Sequence, residues 1–310
     1  MAIINKTNLS SLVSIGIAVW NGELYLAETL ESLIGQTYSN IEIIILDNLS
    51  TDRTSIISKS FVSKDSRVKY ILDECHRDVC AAQIKTAELA RGEFFMVACD
   101  DDVYHPQYIN TMIDILLANK KVGLAYSGWN WIFPDGTIKE PKWKWFLHKQ
   151  NSKFKNFSSY LFHRKPVPLV FGVIRIDIHR DALTYFYRPD KRGWNHDNLY
   201  LLRLLSMTRV DCIEKTLFFY RERDREALYK ERGQLGERGS MIKAFRKVFL
   251  HQISVKKEIT KIINNSNFGS AKKGILKLYS LHAFLYYALV YPIILKIYYA
   301  MVGLLRRLKS

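Results

Sequence analysis

Along the first 125 residues, short runs of apolar and β-branched side chains alternate with segments whose apolar residues recur at helical spacing, and this alternation limits the possible folds most. Val13 to Trp20 (VSIGIAVW) is such a run and stops at Asn21-Gly22, a turn pair. Tyr25, Leu26, Leu30, Leu33 and Ile34 then repeat along one helical face. Ile41 to Leu46 ends at Asp47, after which Ser50, Thr51 and Asp52 offer N-cap oxygens to a helix through Ile56, Ile57 and Phe61. Val68 to Leu72 and Phe94 to Cys99 supply two further strands, with a helical segment around Ala81 to Ala90 between them. Alternation of this kind builds βαβ units, so the expected fold is α/β: an open, mostly parallel sheet flanked by helices on both faces. Ligands of such a sheet bind at the carboxyl ends of its strands. Three strands end in suitable polar groups, at Trp20-Asn21, Asp47-Asn48 and Asp100-Asp101-Asp102.

Beyond Val122 the rhythm changes. Val122 to Phe133 reads as a strand and Pro134-Asp135-Gly136-Thr137 as a hairpin turn. Lys139 to Pro168 is basic and aromatic with little periodicity and reads as a long functional loop or surface segment. Leu169 to Ile176 and Thr208 to Tyr220 read as strands, and Asp197 to Leu205 as a buried helix. Arg221 and Arg223, just past the last strand, are placed to meet a diphosphate or to lie on the surface, and the surface reading is preferred.

Charge divides the chain. Its net value is +16, yet from Met241 to Ser310 there are 13 Lys and Arg against one acid, Glu258, so that stretch holds +12 of the total. The excess lies beside Leu278 to Leu295, 18 residues without a formal charge, a pairing that points to an anionic membrane surface and not to nucleic acid. With Pro292 inside it and Lys296 after it, the stretch fits an interfacial or re-entrant helix better than a clean span, and a buried core helix is the alternative. Cys75, Cys80, Cys99 and Cys212 show no C-x-x-C spacing and read as reduced thiols of a cytosolic environment. The apolar run from Val13 to Trp20 is too short for a signal segment, so no secretion is expected.

Asp100-Asp101-Asp102 carries the most chemistry. Three carboxylates leaving a buried strand cannot all stay ionised unless a cation neutralises them, and a hard divalent ion that keeps positions open for phosphate oxygens does so. The alternative is a solvated acidic turn at the start of a helix near Pro106. Asp47 is set apart from the capping residues after it, because Thr51 and Asp52 already fill the cap. It is therefore free to accept from a base N–H or a ribose hydroxyl.

Four stretches in this order and spacing, VSIGIAVWNG, IIILDNLSTDRT, LARGEFFMVACDDDVYHP and WNHDNLYLLRL, resemble those of family 2 glycosyltransferases with the GT-A fold, of the bacterial cell-surface polysaccharide type. The resemblance covers about residues 12 to 225 and implies a GT-A domain over 1–225, with 226–310 as a helical, basic, membrane-associating extension. It implies transfer of a sugar, with inversion, from a nucleotide diphosphate sugar to a hydroxyl of a lipid-linked or cell-surface glycan, using Mg²⁺ or Mn²⁺ at the cytoplasmic face of a membrane. By the same resemblance Ala18, Trp20 and Asn21 line the base pocket, Asp47 contacts the base, Asp100 reaches the ribose, Asp101 binds the metal with Asp102 beside it, and Asp197 is the catalytic base. His196 stands where the family has a glutamate, Cys99 where it often has the first aspartate of D-x-D, and Asp78-Val79-Cys80 where it has N-x-G. On this resemblance Trp129, Trp131, Trp143 and Trp145 fall near the acceptor side, as sugar-stacking faces or, given the lysines between them, as anchors at a membrane interface. A sugar-nucleotide pyrophosphorylase is disfavoured, because no Gly-rich phosphate loop lies near the N-terminus. A non-catalytic nucleotide- or glycan-binding protein of the same fold remains the alternative.

Overall fold

The computed structural model describes residues 11–141, 152–163, 168–185, 196–222 and 241–285. β1 (Val13–Val19), β2 (Ile41–Asp47), β3 (Val68–Leu72) and β4 (Phe94–Ala98) run parallel in the order β3-β2-β1-β4. β2 and β4 are buried at every position, which is why their sequences are continuous apolar runs and do not alternate. The crossovers are α1 (Leu26–Ile34), α2 (Thr54–Lys64) and α3 (Val79–Leu89), the last capped by the Asp78 side chain, which accepts from the Cys80 N–H. α3 lies close over β1: a Cβ on Gly16 would collide with the Thr86 side chain, so only glycine fits there.

The sheet continues past β4 through β8 (Val173–Arg175), β6 (Val122–Ile132), β9 (Arg209–Arg221) and β5 (Val103–Tyr104), while β7 (Ile138–Lys139) closes the expected hairpin against β6. β8 is antiparallel to both neighbours, whereas β9 runs parallel to β6 along its length, so the sheet stays mostly parallel. Two expectations are corrected here. Of the segment read as a loop from Lys139 to Pro168, the described part contains α5 (Lys153–His163), whose Phe157, Tyr160 and Leu161 are buried; their spacing is apolar and helical, but the surrounding lysines mask it. The strand read over Leu169 to Ile176 is a 3-10 turn, Pro168–Phe171, followed by three residues of β8. Trp129 is also a core residue, only 6% exposed, and Trp131 packs edge-on against Tyr220, while Trp143 and Trp145 lie outside the described residues.

α4 (Tyr108–Ala118), α6 (Ile176–Leu183) and α7 (His196–Met207) complete the flanking helices, and α7 is the buried helix expected from its leucines. α8 (Met241–Asn264) and α9 (Ser270–Leu285) pack on α7 and α5, so Val255, Ile259, Ile262, Ile263 and Leu276 join the same core as the sheet. Among the described residues no helix is long and apolar enough to cross a membrane. Residues 286–310, with the final basic side chains of Arg306, Arg307 and Lys309, lie outside the described residues.

One buried ion network ties the first strands together. Glu42 on β2 is 3% exposed and accepts from Ser14 Oγ at 2.7 Å, Lys69 Nζ at 2.7 Å and the Arg91 N–H at 2.8 Å. Burial alone raises a carboxyl, but here Lys69, Ser14 and Arg91 outweigh it and hold Glu42 at about 2 against an ordinary 4.5. A folded value below the unfolded one means that this stabilisation is complete above pH 4.5 and is lost as pH falls toward 2. Urea unfolding of Glu42→Gln is expected to show a flatter decline across that window than the parent chain. At neutral pH the variant should be less stable by about 1–3 kcal/mol.

Candidate active site

The carboxyl ends of β1 and β2 are stitched into one surface. The Asn21 N–H donates to Ser50 Oγ at 2.9 Å, and Asn21 Oδ1 accepts from the Thr51 N–H at 2.9 Å. The Gly22 N–H donates to Thr54 Oγ1 at 2.8 Å, and Glu23 and Asp52 exchange bonds with the opposing backbone at 3.0 and 3.1 Å. Asn21 (φ 52°) and Leu49 (φ 61°) sit in the left-handed region, where asparagine is tolerated and leucine is strained. Leu49 is held there by its neighbours: the Asn48 N–H donates to Val19 O, and the Ser50 N–H donates to Asp47 Oδ1. The N-cap position of α2 falls to Arg53, and Asp52, one residue before it, accepts from the N–H and hydroxyl of Thr54.

Asp47 behaves differently from the expectation of a base contact. Its carboxylate is fully buried, with one oxygen on the Ser50 N–H at 2.8 Å and the other on the Tyr70 hydroxyl at 2.9 Å, so in this conformation it frames the loop beneath the site. The open surface belongs to its neighbours. Trp20 is 41% exposed and meets the His76 ring edge-on with centroids 5.3 Å apart, and Ala18, two residues back along the strand, is partly open. Asn48 clamps the loop after β3 by pairing with both backbone groups of Arg77 at 2.7 and 2.9 Å. Arg77 in turn bonds Asp73 at 2.6 Å; burial pushes that carboxyl up, but Arg77 outweighs it and holds it low. This loop leads into Asp78-Val79-Cys80, which stand where the resemblance expects an N-x-G element, and nothing in its local pattern marks it.

At the end of β4, ligand atoms of Cys99, Asp101 and Asp102 come within 4.8 Å of one another, with both aspartates buried. Asp100 is partly exposed, and its carboxylate rests against Gly22, where a Cβ would lie 2.8 Å from it. The cluster does not cap the next helix: at the start of α4 the Ile109 N–H goes to Gln36 Oε1 and the Gln107 N–H to His105 Nδ1. Asp102 Oδ1 instead accepts from the Arg221 N–H at 2.9 Å, and Arg221 Nε donates to the Asp101 carbonyl at 2.7 Å. Arg221 is 6% exposed, lies over the Tyr25 ring at 4.3 Å and pairs with Glu28 at 2.5 Å, so the surface reading of this arginine is overturned. Arg223 lies outside the described residues. The two buried carboxylates supply the hard oxygen donors that a divalent cation such as Mg²⁺ or Mn²⁺ takes, whereas the Cys99 thiol beside them is a soft donor that adds little for such an ion.

Asp197 is exposed in the first turn of α7. Its charge is felt at the start of α3: burial, then the charges of Asp78 and Asp197, push the Cys80 thiol up to about 12. Since α3 begins beyond the carboxyl end of β3, Asp197 stands on the same rim of the sheet as the acid cluster. The side chain of His196 lies outside the described residues.

The profile of the family "Glycosyl transferase family 2" matches residues 14–176. The glycosyltransferase GlyG of Streptococcus pneumoniae is 33% identical over 219 residues, which cover 64% of this chain and 72% of that protein. Among solved structures, the S. aureus TarS fragment 1-349 in complex with UDP-GlcNAc superposes with a TM-score of 0.62 at 16% identity, over 89% of this chain and 73% of that one. The mannosyltransferase PcManGT from Pyrobaculum calidifontis, in complex with GDP-Man and Mn²⁺, superposes at 0.51 and 14% identity, over 90% and 70% of the two chains. At these identities the two structures establish likeness of fold.

Arg221 joins Asp101, Asp102, Glu28 and Tyr25, so its removal is expected to cost more than a surface arginine. Arg221→Met should lower stability by about 1–3 kcal/mol in denaturant titration, most of it from the buried donor lost to the Asp101 carbonyl and little from the pair with the half-exposed Glu28. Arg221→Lys should recover under half of that, because an ammonium cannot span both partners as the planar fork does.

Proposed function

This chain belongs to glycosyl transferase family 2, and on that basis we propose that it moves a sugar from a nucleotide diphosphate donor, with inversion, onto a hydroxyl of a glycan or lipid-linked acceptor. The reading rests above all on the buried trio of Cys99, Asp101 and Asp102 at the end of β4, set on the same rim as the exposed Asp197. Asp101, with Asp102 beside it, would hold Mg²⁺ or Mn²⁺, and that ion when bound supplies positive charge to the departing diphosphate. The complexes of TarS with UDP-GlcNAc and of PcManGT with GDP-Man and Mn²⁺ support a nucleotide-sugar donor and a metal.

The chain's own residues divide the remaining work. The exposed face of Trp20, backed by His76, offers a stacking surface to a base, with Ala18 and Asn21 beside it. Asp100, partly open against Gly22, would accept from ribose hydroxyls, and Asp47 would act on the base side by holding the loop that shapes the pocket. Asp197 would take the proton from the acceptor hydroxyl as that oxygen attacks the anomeric carbon from the face opposite the leaving group. We place this reaction at the cytoplasmic face of a membrane, a reading supported by the four cysteines that form no disulfide and by the 13 basic residues against one acid from Met241 onward.

Two substitutions test the assignment. Asp101→Ala should leave the fold intact, because Arg221 is held by the Asp101 carbonyl and not by its carboxylate. It should weaken binding of UDP- or GDP-sugars in the presence of Mn²⁺ by about ten-fold or more, read by calorimetry, and unchanged affinity would remove the metal role. Asp197→Asn should bind donor normally yet transfer about 10²–10⁴-fold more slowly, since the amide keeps the shape but cannot take a proton; transfer at the parent rate would dismiss it as the base.

A further inference from the structure

α9 has two apolar faces. Leu276, Ser280 and Ala283 are buried against the domain, whereas Ile275, Leu278, Leu281 and Leu285 are exposed by 41%, 66%, 39% and 44%. At about 100° per residue these four side chains fall within one arc of about 120°, opposite the buried face, with the exposed His282 inside the same arc. Lys277, exposed, stands on one flank of the stripe, and Lys272 on the other, where its Nζ lies 5.6 Å from the centroid of the Phe154 ring. α9 has no acid, and in residues 252–285 the single acid, Glu258, is buried and paired with Lys261 at 3.2 Å.

We propose that this face of α9 docks on an anionic phospholipid bilayer. Its apolar stripe would enter the boundary between headgroups and acyl chains, while the flanking lysines reach the phosphates along their aliphatic stems. A helix with both its stripe turned to water and its flanks basic is complementary to a surface that is apolar within and negative at its rim. A second copy of this chain suits the face poorly, because a two-fold pairing would set lysine flanks of one sign against each other. The proposal rests on the transferase reading in one respect: a lipid-linked acceptor gives the contact its use, since it would hold α7 and Asp197 near that acceptor through the packing of α9 on the domain.

The test is co-sedimentation of the full chain with vesicles of phosphatidylcholine and phosphatidylglycerol in equal parts, and with phosphatidylcholine alone, at low and high salt. The chain should bind the anionic vesicles more tightly and lose part of that binding in salt. Leu278→Glu with Leu281→Glu should weaken it by about ten-fold or more, and Lys272→Gln with Lys277→Gln by about five-fold per charge on the anionic vesicles alone. Both double variants should keep the parent's affinity for UDP- or GDP-sugar with Mn²⁺, and the leucine variant its thermal midpoint as well, because Leu278 and Leu281 are exposed, whereas Lys272→Gln also gives up the contact of Lys272 with the Phe154 ring. Parent-like vesicle binding by the leucine variant would overturn the proposal and move the contact to residues 286–310. An absence of vesicle binding by the parent, or a lipid-free dimer that the leucine variant dissolves, would overturn it too. The donor titration reads the transferase assignment independently, so failure of one is told from failure of the other.

Discussion

Three aspartates and a cysteine leave β4 at consecutive positions, and the bonds of Arg221 fix the backbone and one carboxylate of that turn. Carboxylates within 4.8 Å of each other in a buried setting repel, and burial removes the water that would screen them. Arg221 reaches this turn from 120 residues beyond Asp101. Its backbone N–H fixes the Asp102 carboxylate, its side chain fixes the Asp101 carbonyl, and Tyr25 and Glu28 on the α1 side hold it in place. It arrives there because β5, which follows the acids directly, pairs with β9, and β9 is aligned along the whole of β6. The mixed second half of the sheet thus closes a site whose acids come from the parallel first half.

The rest of the rim is rigid for a related reason. The loops after β1 and β2 satisfy each other's backbone groups, and Asn48 carries the pairing on to the loop after β3. Polar groups satisfied within the protein leave little freedom to rearrange, so Trp20, His76 and Asp100 are presented on a prepared surface. The left-handed backbone at Leu49 is the local strain that this stitching sustains.

The C-terminal helices belong to the same body as the sheet. α8 and α9 fill the space over α5 and α7, with Phe268 wedged edge-on between Phe154 and Phe157. Any surface that α9 touches with its outer face is therefore fixed in orientation to Asp197, which sits in the first turn of α7.

Local features were legible without a structure. β1 to β4 and their crossover helices follow from short-range periodicity and caps, and the acid cluster, the hairpin turn and the basic tail follow from residue type and spacing. α5 was hidden because lysines interrupt its apolar face, and β8 because three residues carry too little pattern to separate a strand from a turn. The α/β order of the first half and the strand end that carries the acids depend on neighbours a few positions away, and so can be read along the chain. The burial of Asp47 under Tyr70, the withdrawal of Arg221 from the surface and the apolar face that α9 keeps outside were settled by long-range packing. The partner that buries Arg221 lies 120 residues away at Asp101 and 193 away at Glu28, and no local pattern encodes which distant group will neutralise a charge once both are removed from water.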